Sequence, residues 1–105
     1  MIQVVISTFN QEVKKISVSG HALSGNYGED LICAGVSAIM FGALNSFEEL
    51  TNEAVNLTVF DNEIVIEVIN LNPEVELLIK SLMIQLKTIQ NSYPENINIS
   101  QEVLL

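Results

Sequence analysis

Apolar residues recur at every second position over several short stretches of this chain, and twice give way to a long run without that alternation. This switching between periods of two and about 3.6 is what most limits the folds open to it. Ile2, Val4 and Ile6 alternate with Gln3, Val5 and Ser7, Phe9-Asn10-Gln11-Glu12 makes a polar break, and Ile16 and Val18 resume against Lys15, Ser17 and Ser19. That pattern predicts a β-hairpin. Val55, Leu57 and Val59, a turn at Asp61-Asn62, and then Ile64, Ile66 and Val68 predict a second one.

Between the hairpins, Asp30 offers an N-cap and Leu31–Leu50 runs without proline, which predicts a helix. Its apolar residues (Leu31, Ile32, Val36, Ile39, Phe41, Leu44 and Phe47 among them) point in several directions, so burial over most of its girth is expected, with Glu48 and Glu49 at its wet end. Asn72, Pro73, Glu74 and Glu76 are a cap, a first-turn proline and two acids suited to a helix start. A second helix is expected from there to about Gln90, with Leu77, Leu78, Leu82, Leu86 and Ile89 inward. Ile97-Asn98-Ile99 closes the chain with a short strand.

The order ββαββαβ implies an α+β fold, a mainly antiparallel sheet with two helices packed on it. With 105 residues, 49% of them hydrophobic, residues 1–105 are expected to form one domain with one core. The two broadly apolar helices call for cover from a second copy, so a homodimer is expected.

Thirteen acidic residues against four lysines and no arginine give a net charge of -9, which repels nucleic acid and anionic lipid and favours a basic partner. The single cysteine excludes an internal disulfide, and the N-terminus shows no basic-then-apolar leader, so a cytoplasmic protein is expected. No membrane span is expected, since polar residues interrupt the apolar segments short of the roughly 20 residues a bilayer needs.

Residues 20–28 carry three glycines and no periodicity, and read as a flexible connection. His21 stands at its start and Cys33 just after its end. If Asp30 caps the helix, Cys33 falls in the first turn, where unpaired N–H groups and the positive end of the dipole favour a thiolate. That effect is worth about 1 kcal/mol, too little alone to activate a thiol. A basic partner is needed, and His21 is the only histidine. Within hydrogen-bond reach it would accept the thiol proton and later protonate a leaving amine, while N–H groups of the helix start stabilise an oxyanion.

Asp30 has two roles open to it, capping the helix or turning to orient His21. Ser37, one turn beyond Cys33, bonds the site or merely the preceding carbonyl. The plainer readings stand beside these: a cysteine in an apolar helix is commonly a small buried hydrophobe, a lone histidine commonly structural, and Gly20, Gly25 and Gly28 serve turns. One Cys and one His do not make a four-ligand metal set.

Gly20-His21-Ala22, a short glycine-bearing loop, and then Gly28-Glu29-Asp30-Leu31-Ile32-Cys33-Ala34-Gly35-Val36-Ser37 resemble the signature of the bacterial ribosomal-processing cysteine proteases. The likeness extends to the element order and the length. It implies His21 and Cys33 as the catalytic pair, with Gly20, Asp30 and Ser37 in support, and no metal or cofactor. Gly35 departs from the small Ala usual there, at a cost in helix propensity. The implied activity removes an N-terminal extension from the large-subunit ribosomal protein numbered twenty-seven, cutting after two aromatic residues. That substrate is basic, in keeping with the acidic charge. Leu23, Tyr27 and Phe41 are the candidates for apolar contact with it, and the glycine loop (residues 22–29) is a candidate lid. Two other readings compete: a non-catalytic acidic module that binds a basic ribosomal protein or assembly intermediate, and a thiol sensor in which Cys33 oxidises but cleaves nothing.

Overall fold

The computed structural model describes residues 1–20 and 30–105. Strands β1 (Ile2–Phe9) and β2 (Glu12–Ser19) pair antiparallel, with a register shift between Ser7 and Thr8. The connecting turn is tighter than the expected four-residue break. Asn10 and Gln11 alone make it, with φ of 51° and 67°, the left-handed pair that suits the twist of a two-residue hairpin. Helix α1 (Asp30–Leu50) follows, then the hairpin of β3 (Val55–Val59) and β4 (Glu63–Val68), helix α2 (Pro73–Ser92) and strand β5 (Ile97–Val103).

The five strands lie in the order β3-β4-β2-β1-β5. All neighbours are antiparallel except β1 and β5, which are parallel. Both β3 and β2 run antiparallel to β4, so they run parallel to each other, and α1 is the crossover that joins them over β4. In the same way α2 carries the chain from β4 to β5, passing over β2 and β1. Strand β5 is longer than the three residues expected, because its pairing with β1 continues from Ile2↔Ile97 to Thr8↔Val103.

One sheet face bears Ile2, Val4, Ile6, Ile16, Val18, Ile64, Ile66 and Ile97, all buried in the core. The opposite face is mostly polar, with Val5 and the buried Val65 among its residues, and two of its serines donate hydrogen bonds: Ser17 Oγ to Glu63 at 2.6 Å and Ser7 Oγ to Glu102 at 3.0 Å.

The helices depart from expectation in which side they bury. In α1 a single stripe of Cys33, Val36, Met40, Leu44 and Phe47 enters the core, while Leu31 and Phe41 remain exposed, so burial is not spread over most of the girth. Spacings of three and four residues keep that stripe on one side, and a sheet covers only one side of a helix. In α2 the buried residues are Val75, Ile79, Leu82 and Leu86. Leu78 and Ile89 are half-buried, and Leu77, expected inward, is 69% exposed, about 200° around the helix from Val75. The cap is as the residues predict: Asn72 Oδ1 accepts from the N–H of Val75 at 2.9 Å, Pro73 opens the helix, and Glu74 and Glu76 occupy the first turn.

Contrary to the sequence expectation, one helix is long and apolar enough to cross a membrane: Leu31–Leu50, with mean hydropathy 1.5. Five of its residues, the inner stripe, are buried in the core.

Candidate active site

The crossover sets where the site lies. Because α1 leads from the end of β2 to the start of β3, its first turn sits at the end of the sheet where β2 and β3 finish and where β1, β4 and β5 begin. Cys33 is the fourth residue of α1, in that first turn as expected, and only 6% exposed. It heads the inward stripe, with Val36 one turn on, so its side chain belongs to the core at that end of the sheet. Ser37 is half-buried one turn beyond Cys33.

Gly20 follows β2 at the same place and precedes His21 in the sequence. Its φ is +107°, a conformation side-chain-bearing residues rarely adopt, and an added Cβ would overlap the carbonyl oxygen of Met1. The start of β1 therefore presses on the end of β2 just before the histidine. Ile2 N in turn donates to the carbonyl of Asn96 at 2.9 Å, which ties in the entry to β5. The structure thus gives Gly20 a specific backbone reason, where the sequence offers a turn, a flexible connection or support of the site.

Gly35 is different. Among the described residues, no atom beyond its chain neighbours and its own helix backbone lies within 4 Å of where its Cβ would be, so none of them demands a glycine there. Phe41 is 42% exposed and lies about 12 Å farther along the helix axis than Cys33, so the structure does not bring those two together. His21, Leu23, Tyr27 and the candidate lid lie outside the described residues, as does the Asp30 side chain on which the choice between capping and orienting rests. Two exposed apolar residues that the sequence reading did not single out also belong to this end of the sheet. They are Leu31 at 78% and Phe60 at 54%, the latter bonded from its N–H to the carbonyl of Glu63 at 2.7 Å. Among the described residues no group of three or more His, Cys, Asp or Glu could hold a metal ion.

A thiol in the first turn of a helix, close to the backbone N–H groups of the helix start, suits acyl transfer if a base reaches it. Comparison with known proteins points the same way. Residues 1–98 match the family model described as cysteine protease Prp. The ribosomal processing cysteine protease Prp of Staphylococcus aureus strain Mu50 is 36% identical over 98 residues, which is 89% of this chain and 92% of that protein. Its Bacillus subtilis strain 168 counterpart is 30% identical over 115 residues, covering 99% and 100% of the two chains. The crystal structure of the S. aureus protease in complex with a substrate peptide superposes with a TM-score of 0.87 at 32% identity, covering 97% of this chain and all of that one. The element order, the thiol at the head of α1 and these matches together make the chain a member of the Prp family of cysteine proteases.

Proposed function

We propose that the chain is an endopeptidase that removes the N-terminal extension of a large-subunit ribosomal protein, the one numbered twenty-seven, with Cys33 as nucleophile and His21 as its base. The observation that carries the reading is that Cys33, in the first turn of α1, lies at the same end of the sheet as the end of β2, from which the sequence runs through Gly20 to His21, in a chain of this family. His21 takes the proton of Cys33, and the sulfur attacks the carbonyl carbon of the scissile peptide. Backbone N–H groups at the start of α1 stabilise the oxyanion. The imidazolium then protonates the departing amine, leaving a thioester. Water, deprotonated by His21, attacks the thioester and releases the acid and the thiol.

In this reading Gly20, Asp30 and Ser37 support the pair, Leu23, Tyr27 and Phe41 contact substrate, and residues 1–105 act as one peptidase domain in the cytoplasm. The partner is a basic ribosomal protein, which the net charge of -9 attracts. A homodimer is supported by apolar residues left exposed on the outer sides of both helices, Leu31, Phe41, Leu77 and Ile84.

Incubating the reduced protein with a peptide that spans the extension junction, followed by mass spectrometry, tests this. A single cut after the aromatic pair, absent with Cys33→Ala, is expected. An intact peptide in the presence of folded protein would reject the peptidase assignment and favour the acidic binding module.

A further inference from the structure

Strand β3 forms one border of the sheet, and among the described residues nothing pairs with its outer side. Exposed edges are commonly protected by charge or proline, as β5 is by Glu102, yet Val55-Asn56-Leu57-Thr58-Val59 contains neither. Its hydrogen-bonding phase is set by its two ends. Phe60 N donates to Glu63 O and Ile69 N to Ala54 O, so the even-numbered residues of β3 exchange bonds with β4. Val55, Leu57 and Val59 therefore aim their backbone N–H and C=O groups outward. The side chains of the same three residues lie on the helix side of the sheet, opposite Val68, Ile66 and Ile64. Val55 and Leu57 are half-buried there and Val59 is 51% exposed. This edge thus presents backbone donors and acceptors beside an apolar row.

The edge ends at the same end of the sheet as the first turn of α1. Val59 sits opposite Ile64, which sits opposite Val18, so its row ends two strands from the end of β2, roughly 10 Å away. About three or four extended residues cover that gap. Asp61, Glu63 and Glu67 make the β3–β4 hairpin acidic. A basic segment is attracted there, whereas a second copy of this acidic chain would bring like charges together.

We propose that the outer edge of β3 binds the segment of substrate flanking the scissile bond as an added strand, through Val55, Leu57 and Val59. The occupant is an extended, basic, partly apolar peptide, and the inference rests on the peptidase reading above. Main-chain bonds supply affinity and the apolar row accepts alternate side chains.

The test uses peptides spanning the extension junction, each N-methylated at one backbone position, with binding measured to the Cys33→Ala protein and cleavage to the unaltered one. On one flank, from about the fourth residue outward, methylation at every second position is expected to weaken binding about fivefold, with the intervening positions unaffected. Leu57→Pro removes an outward N–H while sparing the ladder to β4. It should weaken binding of the unmethylated peptide and flatten the alternation. The scan itself needs no change in β3, so it decides even if Leu57→Pro misfolds. A peptide that is cut but shows no alternation overturns the edge proposal alone. So does a folded Leu57→Pro protein that binds peptide normally and changes only its oligomeric state. A peptide that binds with alternation and is never cut supports the edge and removes the peptidase reading.

Discussion

The two helices are nearly equal in length and make matching crossovers, yet their entries differ in length and their buried stripes begin with different residues. The chain enters α2 from β4 through four residues, and the start is closed: Asn72 caps the Val75 N–H, Pro73 presets the backbone, and Glu74 and Glu76 meet the dipole. It enters α1 from β2 through ten residues, and the inward position of the first turn holds Cys33 where α2 holds Val75. On the proposed function, the same ββα unit is used once for stability and once for chemistry. What distinguishes them is the length of the entry and the residue at the head of the buried stripe.

Replacing Cys33 by Val makes the first turn of α1 resemble that of α2, and this should be the most damaging change to activity. Cleavage of the junction peptide should fall by at least about 10³-fold. The unfolding free energy should move by less than about 1.5 kcal/mol in a urea titration, since the site is a small buried apolar position. His21→Ala should cost about 10² to 10⁴ in kcat/KM without changing the melting temperature appreciably.

The remaining changes act on stability. Gly20→Ala forces a side chain into a positive φ and against the Met1 carbonyl, and should destabilise by about 1–3 kcal/mol in the same titration. Asn72→Ala opens the cap of α2 and should cost about 1 kcal/mol while leaving kcat/KM unchanged, because that end of α2 lies away from Cys33. Gly35→Ala should stabilise by about 0.5–1 kcal/mol, with room for the methyl group among the described residues and a helical backbone that favours it. A loss of stability there would mean that α1 needs a glycine for a reason beyond packing.

How legible each region is depends on whether its cause is local. The start of α2 could be read because cap, proline and acids are adjacent in sequence. Its inward side could not, because Leu77, Leu78 and Ile79 are consecutive and periodicity alone does not choose among stripes one residue apart. The sheet chooses Ile79 and leaves Leu77 in solvent. In α1, with apolar residues on every side, nothing local marks the line from Cys33 to Phe47 as the buried one. The place of Cys33 in the first turn was legible from Asp30 and the glycines before it. The need for glycine at position 20 was not, because it arises from the backbone of Met1, which comes alongside only when β1 and β2 pair. The length and direction of β5 depend likewise on a partner more than ninety residues earlier in the chain.

The account rests on the thiol at the head of α1 drawing its reactivity from the histidine that follows β2. Alkylation of Cys33 by iodoacetamide at neutral pH, compared between the unaltered protein and His21→Ala by intact-mass spectrometry, tests this most directly. Loss of the imidazole should slow the reaction by at least about tenfold, because the thiolate is the reacting form. Equal rates in two folded proteins would contradict it, leaving Cys33 a buried core residue like Val75.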